Sequence, residues 1–168
     1  NLAYMTEAKY PSGVPAKYLF SLSAFASAEP APHFRDVARE AGIDLVSMAG
    51  GIIVDDFDND GLLDVVTSTY DVCDHLHFFH NDGDGSFSDR TAKAGLLDQL
   101  GGLNIVQADY NNDGCMDFLV TRGGWQWPMR PSLMRGGCDG TFTDVTEQSG
   151  LSATIAATQT AAWADIDN

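Results

Sequence analysis

Two motifs alternate along this chain at a fixed spacing, and that alternation limits its fold more than any other feature. The first is Asp56-Phe57-Asp58-Asn59-Asp60-Gly61-Leu62-Leu63-Asp64. It returns as Asp109-Tyr110-Asn111-Asn112-Asp113-Gly114-Cys115-Met116-Asp117 and begins again at Asp165-Ile166-Asp167-Asn168. Its copies start 53 and 56 residues apart. The second motif is Phe87-Ser88-Asp89-Arg90-Thr91-Ala92-Lys93-Ala94-Gly95-Leu96. An earlier copy runs from His33 through Phe34 to Ile43, and a later one from Phe142 to Leu151. From each of these aromatic residues to the next acidic loop is 22, 22 and 23 residues, so both motifs belong to one repeated unit.

Four short strands fit within each unit. In the first they are expected at 51–55, 63–68, 76–80 and 86–91, with Asn81-Asp82-Gly83-Asp84-Gly85 as the last turn. In the second they fall at 104–108, 116–121, 132–135 and 141–146. Four strands in about 50 residues, repeated, mark a β-propeller blade. The expected fold is therefore all-β: two near-complete four-stranded blades plus flanking strands near Phe34 and at 160–164. Propellers close with about 4–8 blades. The chain is thus read as part of a larger propeller, completed by further sequence or by neighbours in a homo-oligomer or filament. Residues 1–32 are read as an N-terminal extension or linker, and 33–168 as the repeats.

The acidic loop carries chemistry. Its carboxylates stand at positions 1, 3, 5 and 9, with glycine at position 6. A tight turn brings alternate side chains inward, and glycine lets the backbone reverse without steric cost. Hard cations such as calcium take six to eight oxygens, and clustered aspartates would otherwise repel one another. The expected Ca²⁺ ligands are Asp56, Asp58, Asp60, the Leu62 carbonyl and Asp64. In the second loop they are Asp109, Asn111, Asp113, the Cys115 carbonyl and Asp117. Asp165 and Asp167 begin a third set. An EF-hand would close with a Glu at position 12 between helices. Here an Asp closes at position 9 and a strand follows.

These residues resemble the FG-GAP and VCBS-type repeats of integrin α-type propellers, and more closely the cartilage acidic protein 1-like group with its ASPIC/UnbV tail. The matching stretches are the two acidic loops, Asn81-Asp82-Gly83-Asp84-Gly85-Ser86-Phe87-Ser88-Asp89, and Gly140-Thr141-Phe142-Thr143-Asp144-Val145-Thr146. The resemblance covers roughly 33–168 and implies a calcium-binding, extracellular, secreted or cell-surface propeller, expected from a bacterium. The implied function is adhesion, protein–protein interaction or surface assembly. One departure is Cys138, which stands where the first unit has Gly83; positive φ is expected there and is uncomfortable for cysteine.

Composition sets the outer bounds. The formal net charge is −15, from 9 Lys+Arg against 24 Asp+Glu, which argues against nucleic acid and anionic membranes. No run approaches about 18 apolar residues, so no membrane span is expected. Three cysteines, Cys73, Cys115 and Cys138, cannot all pair internally; Cys115 with Cys138 is one option within a repeat. Lys17 followed by Tyr18 to Ala26 imitates a signal peptide, but the short apolar run favours a linker.

Two further groups stand out. Cys73, His75, His77 and His80 lie close in sequence, yet their spacing fits no defined zinc site, and polar strand residues are the plainer reading. Trp125 and Trp127 lie on a long inter-strand loop that offers a possible ligand surface. Packing of one or both against a neighbouring blade is the more ordinary expectation, and Trp163 is expected in the core. No nucleophile elbow or separate carboxylate pair is present, so no enzyme is expected. The expected partner is a protein or glycan at the cell surface. A lectin-like propeller using the Trp125/Trp127 loop is the alternative.

Overall fold

The computed structural model describes residues 9–19, 34–125, 127–153 and 155–166. The chain divides into two compact units, 1–35 and 36–168. The described part of the first holds a turn closed by Gly13 N–H on the Lys9 carbonyl and a 3₁₀ turn at Ala16–Tyr18.

The second unit is built from two four-stranded antiparallel meanders. β1 (Ile52–Asp55), β2 (Asp64–Thr67), β3 (His77–Asn81) and β4 (Phe87–Asp89) form one sheet. β5 (Asn104–Ala108), β6 (Asp117–Thr121), β7 (Ser132–Gly136) and β8 (Phe142–Asp144) form the other. All eight lie where the sequence places them. Each acidic loop joins the two innermost strands of its sheet, pairing Asp55 with Asp64 and Ala108 with Asp117. The sheets do not close into a ring; they are two blades of a partial propeller.

Second strands sit between neighbours and are buried on both faces, so they read as apolar runs: Val65 and Val66 in β2, Phe118 and Val120 in β6. The core lies between the blades. Phe142 packs edge-on against Phe57, Phe78 and Phe118, with ring centroids 5.7, 5.9 and 4.8 Å away. Edge-to-face packing of this kind adds about 0.5–1.5 kcal/mol per pair beyond area burial.

The second motif is an interblade hook. Asp89 Oδ1 accepts from Thr91 N–H and from its hydroxyl, at 2.9 and 2.6 Å. The Thr91 hydroxyl in turn accepts from Phe78 N–H, tying the turn to β3. Asp144, Thr146 and Leu133 N–H repeat the relay in the second blade. The backbone then coils, and its carbonyl at Ala41 or Ala94 accepts the N–H of the next blade's Phe87 or Phe142, at 2.8 and 2.9 Å. Gly42 is required at the first of these contacts: its φ is +79°, and a Cβ there would lie 2.7 Å from the Phe87 carbonyl oxygen.

Both flanking strands need correction. Residues 34–37 form no strand, and Phe34 is 92% exposed. Residues 160–164 form no ladder either; that stretch is held by Asn104 Nδ2 on Thr160 Oγ1 and by Trp163 Nε1 on the Val106 carbonyl. Extended backbone counts as a strand only when a neighbour completes its hydrogen bonds, and neither segment has one among the described residues. Trp163 is accordingly half-exposed rather than core, stacked on Tyr110 at 6.0 Å.

Cys115 and Cys138 form a disulfide, while Cys73 is free and exposed. In the first blade Leu62 covers Gly83, where an added Cβ would sit 3.1 Å from Leu62 Cδ1. Cys115 and Cys138 hold those two places in the second blade, and Cys138 adopts φ +59° as Gly83 adopts φ +77°. The bridge thus replaces an apolar contact between loop and outer turn. Reduction should cost about 3 kcal/mol for a closed loop of this size. The double variant C115L/C138G should regain about 1–2 kcal/mol of that by relieving the left-handed backbone. Urea unfolding of the oxidised, reduced and doubly substituted chains checks both values.

Candidate metal centre

The acidic loops share one backbone design. In the first, Asp56 accepts N–H groups from Asp60 (3.0 Å) and Gly61 (2.9 Å), and Asp60 accepts from Leu62 (2.8 Å). In the second, Asp109 accepts from Asp113 (3.1 Å) and Gly114 (2.9 Å), and Asp113 accepts from Cys115 (2.9 Å). Two residues take left-handed backbone in each: Asn59 and Gly61 at φ +58° and +88°, Asn112 and Gly114 at +57° and +85°. Asparagine at position 4 is thus part of the design, since it tolerates this region better than most side chains. Its presence in both copies was the available signal.

Alternation does the rest. Phe57, at position 2, turns into the interblade core and leaves its neighbours Asp56 and Asp58 on the other side of the chain. Carboxylate oxygens of Asp56, Asp58 and Asp60 come within 4.8 Å of one another. Donor atoms of Asp58, Asp64 and His80 form a second group of the same tightness. In the second loop Asn111 Oδ1 accepts from Asp113 N–H at 3.0 Å and its amide donates to Asp113 Oδ2 at 2.8 Å.

Position 9 is also structural. Asp64 is fully buried and accepts from Asn81 N–H (2.8 Å) and Phe57 N–H (3.3 Å). Asp117 is fully buried and accepts from Gly136 N–H (2.8 Å) and Tyr110 N–H (3.2 Å). Each carboxylate therefore fastens its loop to the third strand of its blade. Burial pushes both carboxyls above the usual aspartate range, and the charge of Asp58 adds to the push on Asp64, as Asp113 and Asp109 do on Asp117.

The donors present suit a hard divalent cation. Those of Asp56, Asp58 and Asp60 are oxygens, they converge, and Asp58 Oδ1 is buried without a hydrogen-bond partner. Positive charge nearby is sparse: Arg90 Nη1 reaches only to 4.0 Å from Asp58 Oδ2. Asp165, in the third motif, is exposed, and Asp167 lies outside the described residues.

His80 is the residue that sequence reasoning set aside. It lies on β3, beside the first loop, with Nδ1 3.1 Å from Asp58 Oδ2 and 3.3 Å from Asp64 Oδ1. The signal was its position immediately before Asn81, whose N–H holds Asp64. His75 and His77 form a separate group with Asp74.

The tryptophan loop touches the neighbouring blade yet stays open. Trp125 and Trp127 are 72% and 59% exposed. Trp125 meets Tyr70 edge-on at 6.3 Å. Beneath them is a cavity of about 230 Å³ whose lining includes Tyr70, Arg122 and Trp127. Arg122 is buried at the root of the loop, donating to the Leu100 carbonyl, Gln99 Oε1 and Ser132 Oγ; desolvation lowers its pKa to about 10.

Comparison with known families agrees with this geometry. Residues 56–120 match an FG-GAP-like repeat. The FG-GAP-like match opens at the first residue of the first loop and ends inside β6, so it includes both acidic loops. Cartilage acidic protein 1 of Homo sapiens is 35% identical over 97 residues, and that of Mus musculus 34% over 97. Each alignment covers 57% of this chain and 14% of the relative's length. Among the described residues no helix is long and apolar enough to cross a membrane.

Proposed function

We propose that this chain is part of a calcium-binding, extracellular β-propeller that serves protein–protein interaction or adhesion. The observation that carries the reading is the convergence of Asp56, Asp58 and Asp60 in the first loop, with a buried Asp58 oxygen left without a partner, in a backbone design that the second loop repeats. Calcium is the hard, abundant cation that such oxygen donors accept. The ion would neutralise each loop and fix the turn between the two innermost strands of its blade. Asp56, Asp58, Asp60 and Asp64 would hold one ion, with the Leu62 carbonyl. Asp109, Asn111, Asp113 and Asp117 would hold another, with the Cys115 carbonyl; Asp165 and Asp167 would begin a third site.

An oxidising compartment is supported by the Cys115–Cys138 disulfide, since such bonds persist outside the cytosol. The name of the relatives, cartilage acidic protein 1, agrees with a net charge of −15. We read the module as non-enzymatic, because its clustered carboxylates serve loop geometry. Terbium luminescence tests the cation assignment in the second loop. Tyr110 is part of that loop and stacks on Trp163, so a lanthanide seated there should be sensitised by both rings. Calcium should quench the emission, and D113N should abolish it. Emission that calcium cannot displace would defeat the assignment.

A second reading, glycan binding, is favoured by the exposure of Trp125 and Trp127 above the Tyr70 cavity. Exposed aromatic faces stack on sugars, and a rigid root such as Arg122 holds the loop for that purpose. On a glycan array the chain should then retain a glycan that Trp125→Ala loses by about tenfold or more, as for a ~1.4 kcal/mol contact. Retention of no glycan, or equal retention by the variant, would leave protein interaction as the reading.

A further inference from the structure

We propose that His80 is a metal ligand, and that it gives the first loop a preference the second lacks: zinc-class divalent ions displace calcium there. The inference rests on reading the loops as cation sites.

The first observation is His80 itself. The residue is 7% exposed, its Nδ1 is buried, and that nitrogen has no hydrogen-bond partner. It nevertheless points into the loop, 3.1 Å from Asp58 Oδ2 and 3.3 Å from Asp64 Oδ1. Neither contact is aligned as a hydrogen bond. One Nδ1–H could in any case serve only one of the two oxygens. An imidazole nitrogen facing two carboxylate oxygens is instead the start of a coordination shell, complete once an ion takes the place of any proton on that nitrogen. Edges of about 3.0–3.4 Å separate ligands that sit about 2.0–2.1 Å from a shared zinc-class ion. The 3.1 and 3.3 Å separations fall in that range.

The second observation is the orphaned oxygen. Asp58 Oδ1 is buried and unpartnered, so the same carboxylate has capacity left for an ion. Asp64 is already oriented by Asn81 and Phe57 N–H groups, an outer set of partners that fixes a ligand's direction.

Donor chemistry then decides the ion. Carboxylate and carbonyl oxygens suit calcium, whereas imidazole suits zinc, copper, iron and nickel. The second repeat carries Arg135 where the first carries His80, and a guanidinium has no lone pair to offer. Two loops of one backbone design therefore differ by one nitrogen donor, and by Asn111 standing where the first loop has Asp58.

The test uses the whole chain with His75 and His77 changed to Gln, because those residues and Asp74 form the rival donor group. The chain is loaded with calcium, zinc is titrated in, and released calcium is read with an indicator. Release from the first loop but not the second is expected. In H80Q the zinc needed for half-release should rise at least about tenfold, the smaller loss typical even of an outer partner. H80R, which installs the second repeat's residue, should behave the same way. Cobalt(II) in place of zinc should give a visible absorption band whose position changes in H80Q, a readout that a merely structural histidine would not move. Calcium bound but not displaced by zinc overturns this inference and leaves the calcium reading intact. Half-release in H80Q and H80R at the same zinc concentration as in the chain that keeps His80 also overturns it. If no calcium binds at all, the calcium reading fails by itself, and the cobalt band in the two variants still decides the role of His80.

Discussion

Asp117→Ala is expected to destabilise the chain by about 4 kcal/mol, measured by urea unfolding in chelator. Asp117 is fully buried and accepts from Gly136 and Tyr110 N–H groups. Alanine would leave both donors without an acceptor, at about 1–3 kcal/mol each. Relief of a buried carboxyl, whose pKa burial already raises, offsets only part of the loss. Asp117→Asn should cost less, because one carbonyl oxygen remains as acceptor. The measurement in chelator separates this role from ion binding. A loss below about 1 kcal/mol would mean that these hydrogen bonds do not hold loop to strand.

Calcium removal should be the larger effect on the whole domain. An ion that binds only the folded chain stabilises it by about 3–4 kcal/mol at 100 to 1,000 times its Kd, for each site. For a domain of this size that lowers the melting temperature by on the order of 10 °C. Asp64 and Asp117 set the mechanism: burial makes their charged forms costly, and the ion offsets that cost. Differential scanning calorimetry with and without excess chelator checks this. An unchanged melt would show that the loops fold and stay closed without a cation.

Much of this architecture is legible in the sequence because repetition multiplies weak signals. A single stretch such as Asp64-Val65-Val66-Thr67 is ambiguous, but the same pattern after a second acidic loop fixes it as a strand. The glycine at position 6 reads directly, since it answers a local backbone demand, whereas the Asp-x-Thr of the hook reads as strand and proves to be the turn that ends it. What stayed hidden depends on distant neighbours. Segments 34–37 and 160–164 have strand-like sequence but no partner strand among the described residues. Trp163 and Tyr110 read as propeller residues, yet they stack on one another beside the exposed third motif. The disulfide needed the positive φ of Cys138 to bring it under Cys115. His80 needed the register of β2 on β3, which carries it to the mouth of the first loop.

The most direct test of the account is a calorimetric calcium titration of the intact chain, freed of other metals. Saturable binding at both loops is expected, with one site lost in D58N and the other in D113N. Absence of calcium uptake, or uptake unaffected by either substitution, would contradict it.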